Sequence, residues 1–256
     1  MIKKNGTEIT SKEIWEELAG PVRKVQWKEL RSAMEVSKAW MNNGDISIPQ
    51  EIVECIVKHE DFSEIVEWEA EPEFKSYFDS FGGPANLDLI GQFTDSKGKY
   101  LIGVEAKADE PYSEFNIQEK FAAALEHKIK TPNSMQIERI IGLAKSLFHE
   151  KKKSLPKISS LKYQLLTGLA GTISKAEKEG IKRVIFLIHE FKTNSTDPKK
   201  HEINSKALNA FIHRITNGKS KSIQNGELLG PIKIPGTPLF DKVPDMYIGK
   251  VVRTIN

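Results

Sequence analysis

Three side chains in this sequence could do chemistry together: Asp88, Glu105 and Lys107. The stretch Ile102-Gly103-Val104-Glu105-Ala106-Lys107 reads as a strand. Side chains at i and i+2 share one face of a strand, so Glu105 and Lys107 project together, while Ile102, Val104 and Ala106 project the other way. The spacing therefore predicts one apolar face for burial and one face with an acid and a base. Asn86-Leu87-Asp88-Leu89-Ile90-Gly91 reads as a second short strand, joined to the first through the polar turn Asp95-Ser96-Lys97-Gly98-Lys99. With Asp88 alongside, two carboxylates and one ammonium meet. Two carboxylates about 4 Å apart repel by ~1 kcal/mol in water and ~4 kcal/mol at a near-surface effective dielectric. A cation relieves that repulsion, and carboxylate oxygens suit Mg²⁺, Mn²⁺ or Ca²⁺ better than a soft metal. A lysine beside them steadies a water or an anionic phosphate as a point charge. Those parts suit metal-assisted attack of water on a phosphodiester.

The elements that must position this hairpin follow from pattern. Thr10-Ser11-Lys12-Glu13 opens a short helix with capping-box spacing, and Gly20-Pro21 ends it. A second helix is expected from about Trp27 to Met41, ended by Asn42-Asn43-Gly44-Asp45, and a third starts at Pro49. From Ile65 to Glu71 the pattern alternates, with Val66, Trp68 and Ala70 against Glu67, Glu69 and Glu71, as in a strand with one wet face. Helices are expected after Pro111, over Phe115 to Lys128 and Gln136 to Glu150. A longer one, capped by Ser159 or Ser160, runs to about Glu179 with Gly180 past its end. Its Gly168, Ala170 and Gly171 would let it approach a sheet closely. Val184-Ile185-Phe186-Leu187-Ile188 is a continuous apolar run, as in a strand covered on both faces. The order predicts an α/β fold with a mixed central sheet and helices on both sides.

The chain has 256 residues, with 39% hydrophobic and 29% charged, as a globular protein with a substantial core requires. A net charge of +3 excludes a polybasic tail protein but leaves room for a local basic groove. The single cysteine, Cys55, excludes an internal disulfide and falls on an apolar helical pattern, as a core residue does. No apolar leader and no run of 18 apolar residues is present, so no signal peptide, no membrane partner and a cytoplasmic location are expected.

An acid in one strand, Glu-x-Lys in the next strand of a hairpin, then a helix and a buried strand resemble the PD-(D/E)XK, or restriction-endonuclease-like, nuclease superfamily. The resemblance runs through Asp88 and Glu105-Ala106-Lys107, and its element order covers roughly residues 28 to 190. Arg31-Ser32-Ala33 with Trp40, and Val104 to Pro111, look like a bacterial branch of it. The superfamily's usual proline before the first acid has no direct counterpart, since Pro84 lies four residues upstream of Asp88.

The resemblance implies one nuclease-like domain. Residues 1–27 would be a helical extension, 28–190 the core, and 191–256 a loop-rich part with a final strand. It implies a Mg²⁺-dependent (Mn²⁺ as substitute) endonuclease acting on nucleic acid, with DNA as the expected substrate and a homodimer as one assembly it allows. Asp88, Glu105 and the carbonyl of Ala106 would ligate the metal, and Lys107 would orient or help deprotonate water. Glu35 and Gln164 occupy the places of an acid from the first core helix and a polar residue from the later helix.

Each residue also has a plainer reading. Asp88, Glu105 and Lys107 could form a salt-bridged cluster on a wet strand face. Glu35 falls off the apolar stripe of its helix, as a solvated glutamate would, and Gln164 flanks a stripe of Leu161, Leu165 and Leu169. The runs Lys151-Lys152-Lys153, Lys199-Lys200 and Lys219-Ser220-Lys221 could track phosphates or be solvated turns. His189 reads as a strand-end residue. A nuclease-like module that binds nucleic acid or a partner protein without cutting is the alternative to an enzyme. A structural or toxin–antitoxin type partner protein is a third possibility.

Overall fold

The computed structural model describes residues 1–21, 27–42, 45–112, 115–149 and 154–255. In chain order, β1 (Lys3–Lys4) and β2 (Thr7–Glu8) form a small hairpin ahead of α1 (Lys12–Ala19). Helix α2 (Ser32–Trp40), the short pair β3 (Met41–Asn42) and β4 (Asp45–Ile46), and α3 (Gln50–Val57) follow. Strands β5 (Glu67–Ser76), β6 (Ala85–Asp95) and β7 (Gly98–Lys107) come next, then helices α4 (Ile117–Lys130), α5 (Gln136–Leu147) and α6 (Tyr163–Lys178). The chain ends with β8 (Arg183–Thr193), α7 (Pro198–Ile215), β9 (Glu227–Ile232) and β10 (Asp245–Ile255).

Six strands form one mixed sheet in the order β5-β6-β7-β8-β10-β9. The β5-β6-β7 meander is antiparallel, β8 is parallel to both β7 and β10, and β9 closes the far edge antiparallel to β10. The apolar run expected to lie inside the sheet does so, because β8 is paired on both sides. Helices cover both faces. Leu165, Leu169 and Ile173 of α6 pack with Leu101, Val184 and Phe186 on one face, joined there by Leu208, Phe211 and Ile212 of α7. Trp15 of α1, Val36 and Trp40 of α2, and Ile52 and Ile56 of α3 pack with Ile102, Val104 and Leu187 on the other. The mixed α/β architecture with helices on both sides of a central sheet is as expected. Among the described residues, no helix is long and apolar enough to cross a membrane.

Close approach of α6 is what brings its first turn over the hairpin. A Cβ on Gly103 would lie 2.1 Å from Thr172 Oγ1, and one on Gly168 would lie 2.9 Å from the Phe186 ring. Both positions need the missing side chain, as the small-residue stripe suggested for α6.

Several local expectations differ from the structure. Helix α2 begins at Ser32, not near Trp27, because Leu30 takes a positive φ of 65° and breaks the helical path. Strand β5 runs past Glu71 to Ser76. Ser159 and Ser160 do not cap α6. They sit in a 3-10 turn, and α6 starts after Lys162 without a side-chain cap. Residues 1–27 hold a strand hairpin as well as a helix, and the 191–256 part is not loop-rich throughout, since α7 fills 18 of its residues and β9 a further six. His189 does not end its strand. It is fully buried and bonds Glu51 Oε1 through Nε2 at 2.9 Å, with β8 continuing to Thr193. Asn43-Gly44 and Lys151-Lys152-Lys153 lie outside the described residues.

The turn end of the β6–β7 hairpin is locked by charge. Asp95 accepts two hydrogen bonds from Arg183, at 2.6 and 3.1 Å, and one each from the Lys97 and Ser63 amides. Burial alone would raise the Asp95 pKa, but Arg183 and those amides hold it below the ordinary carboxylate value. A depressed folded pKa gives stability that is present above the unfolded value near 3.9 and lost as pH falls through the folded one. Asp95→Asn is therefore expected to cost about 3 kcal/mol at pH 7, with the deficit shrinking towards pH 3. Urea unfolding of both proteins at the two pH values checks this, and a deficit independent of pH would overturn it.

Candidate functional site

The site forms where β6 and β7 part. Their ladder pairs Asp95 with Gly98 at the turn and ends at Leu89 with Val104. Beyond it, the Ala106 amide donates to Asp88 Oδ2 at 2.7 Å. Strand β7 continues alone against β8, pairing Glu105 with Ile188 and Lys107 with Glu190. Period two breaks here: Leu89 packs on the face of α2 and α3, while Leu87 and Ile90 both pack on the face of α6. Asp88 sits at that break, half-buried.

Glu105 and Lys107 share one face, as the strand period requires. Lys107 Nζ lies 2.8 Å from Glu105 Oε1. The face is not wet: Glu105 is 1% exposed and Lys107 is 5% exposed. The plainer expectation of a solvated cluster is thereby excluded, because α6 covers this side. Gln164, on the first turn of α6, donates through Nε2 to Glu105 Oε1 at 2.7 Å. Glu105 Oε2 is buried with no hydrogen-bond partner among the described residues. The Tyr112 ring backs the ammonium, with Lys107 Nζ 5.6 Å from its centroid.

The electrostatics follow from burial and from an excess of acids. Burial, opposed by Lys107 and assisted by Asp88, pushes the Glu105 carboxyl up to about 7. Burial likewise raises Asp88, against the pull of Lys107 and the Ala106 amide. Burial opposes the charge on Lys107, but Glu105 and Asp88 outweigh it and raise its pKa. One ammonium thus faces more carboxylate than it can neutralise. These groups could hold a hard cation. Among the described residues, no three His, Cys, Asp or Glu side chains converge as a metal cage.

Glu73 is a residue the sequence reading passed over. It lies between the paired positions Pro72–Leu89 and Phe74–Leu87, which sets it opposite Asp88 in the β5–β6 ladder. Its carboxyl is pushed up to about 8 by burial and by the charges of Asp88 and Glu105, with Lys4 pulling the other way. Its spacing continues Glu67, Glu69 and Glu71, which was the available signal. Glu73 also has a φ of 47°, a left-handed conformation uncommon for residues other than glycine.

Of the two residues added by resemblance, only Gln164 bonds the cluster. Glu35 is not solvated. It is 2% exposed, and its Oε1 accepts from the Leu30 amide at 3.0 Å and faces Lys38 Nζ at 3.2 Å. Those bonds run to the start of α2 and not to Asp88, Glu105 or Lys107. Beyond Lys107, Glu110 Oε1 accepts from the Ser32 amide and so ties the strand exit to the same helix start. Lys200 pairs with Asp109 at 2.7 Å rather than lying free for phosphate.

Fold and cluster together define a mixed α/β protein with a buried carboxylate–lysine centre at the open end of a hairpin. The chain belongs to the DUF6946 family, a domain of unknown function, whose family model matches residues 8–243. No curated protein and no solved structure matches the chain.

Glycine adopts a left-handed φ without strain, so Glu73→Gly relieves the backbone and removes one of the crowded acids. The exchange is expected to stabilise the protein by about 1 kcal/mol, or a melting point roughly 2–4 °C higher for a chain of this size. Scanning calorimetry in chelator measures it. A lower melting point would show instead that the carboxylate is a stabilising partner.

Proposed function

We propose that this chain is a metal-dependent nuclease that hydrolyses phosphodiester bonds, with DNA as the expected substrate. One observation carries the reading. Half-buried Asp88 meets the buried pair Glu105 and Lys107, and one Glu105 oxygen there has no hydrogen-bond partner among the described residues. Asp79, Glu110 and Glu138 also leave one buried oxygen unbonded among the described residues, each beside an arginine or lysine; at Glu105 the orphaned oxygen stands beside a second acid, Asp88, that shares the same lysine. An orphaned oxygen beside a second acid is what a site for a hard cation offers. The element order supports the finer fold reading: a meander of three antiparallel strands, a covering helix, then β8 parallel to the third strand follows the restriction-endonuclease-like plan.

Asp88 and Glu105 would hold Mg²⁺, or Mn²⁺ in its place, with the Ala106 carbonyl as a third oxygen. A divalent ion supplies Lewis acidity towards a phosphoryl oxygen and makes water acidic enough to attack at neutral pH. The chain's own residues do the positioning. Gln164 and Lys107 both hold Glu105 Oε1, which leaves Oε2 to the site. Lys107 puts a fixed positive charge where a phosphate gains negative charge, in surroundings from which water is largely excluded. Tyr112 closes the space behind that ammonium.

Cleavage of plasmid and of single-stranded DNA should require Mg²⁺ or Mn²⁺ and stop with chelator. Asp88→Asn keeps a side-chain acceptor for the Ala106 amide, so it tests chemistry more than folding. It is expected to lower the cleavage rate by about 100-fold or more, and Lys107→Gln by a similar factor. Full activity in Asp88→Asn would sink the proposal. Salt-sensitive binding without turnover in the native chain would identify a binding module instead.

A further inference from the structure

A groove of about 490 Å³ adjoins the candidate site. Gln164 belongs to both: it lines the groove and donates to Glu105. The floor is Gly82, under the Arg139 guanidinium, and the bare backbone of Gly83 leading into β6, and the walls come from α4, α5 and α6. Two cations, Lys120 and Arg139, line it, and among the described residues no carboxylate does. Arg139 is already engaged, donating to the Gly83 carbonyl at 2.7 Å and pairing with Asp79 at 3.3 Å. Lys120 makes no ion pair among the described residues. Its ammonium sits 5.6 Å from the centroid of Tyr163, which lines the groove, and 5.9 Å from that of Phe115, which is 44% exposed. Amides of Asn86 and Gln136 add neutral hydrogen-bonding groups.

We infer that this groove holds the nucleotide next to the scissile phosphodiester in a single strand of nucleic acid. The inference rests on the nuclease reading above and adds the form of the substrate. An uncompensated cation beside aromatic rings is the chemistry that takes a phosphate and a stacked base. The volume lies in the range of pockets that take one small-molecule-sized group, which matches one nucleotide, and a base can stack on a side-chain ring there only when it is unpaired. The absence of a side chain on Gly83 lets a sugar–phosphate backbone come close, while the Arg139 guanidinium covers Gly82. A Cβ built on Gly83 meets nothing within 4 Å, so the floor there is open.

The test is fluorescence anisotropy with a labelled single-stranded oligonucleotide and with its blunt duplex, in chelator. The native chain is expected to bind the single strand at least about tenfold more tightly. Lys120→Glu is expected to weaken that binding about tenfold or more and to reduce the salt slope by about 0.7, as loss of one phosphate contact should. Gly83→Asp serves as a second variant, since its side chain has room and adds a carboxylate to the floor. Circular dichroism confirms that each variant folds. If the native chain binds the single strand and both variants match it, the groove is not the binding site, while metal-dependent cleavage still stands or falls by its own assay. Equal binding of duplex and single strand would overturn the substrate form. No binding of either, together with no cleavage, would overturn both readings.

Discussion

The Ala106 amide is the constraint on which the site depends. A buried backbone N–H needs an acceptor, and leaving one unmade costs about 1–3 kcal/mol. Where the β6–β7 ladder ends, Asp88 supplies that acceptor from its side chain. The bond lets the two strands part without an orphaned amide. It also fixes a carboxylate beside Glu105, which the same strand presents to α6. The parting of the strands and the second acid thus go with one substitution of side chain for backbone. Asparagine could make the same bond without the charge, so the amide alone does not account for an acid at this position.

Helix α6 converts a charged hairpin into a buried centre. Without side chains at Gly103 and Gly168, the helix lies close enough for Gln164 to reach Glu105. Burial then raises Glu105 and Asp88 together, because a single lysine cannot compensate two desolvated acids. The close packing and the electrostatic excess have the same cause.

The parts of this arrangement that the sequence discloses are those set by a strict period. Glu105 and Lys107 share a face because a strand repeats every two residues, and the turn chemistry at Asp95 to Lys99 brings Asp88 alongside. The β8 run was legible for a different reason, being too continuously apolar for any surface. Glu73 continues the spacing of Glu67, Glu69 and Glu71, but its place beside Asp88 depends on a break in the period and a positive φ that no periodicity announces. Glu35 was misjudged because its burial comes from bonding a loop amide, not from a helical stripe. Helix α7 escaped notice because its first half is polar, with His201 and Asn204 buried by hydrogen bonds, and its apolar residues Leu208, Phe211, Ile212 and Ile215 are confined to the second half.

The two ends of β6 separate a fully compensated acid from an under-compensated one. Asp95 and Asp88 lie on the same strand, seven positions apart, and both are drawn out of water. At the turn end, a bidentate arginine and two amides answer every demand of Asp95, and its pKa is lowered. At the open end, Asp88 has one amide and a share of one lysine, and its pKa is raised. A charge kept only for stability should be compensated, since an uncompensated buried charge costs several kcal/mol. The hairpin compensates one end fully and leaves the other in deficit by positive charge. That asymmetry within a single strand supports the proposal that the open end takes a cation from outside the chain, since the alternative is to hold its acids protonated.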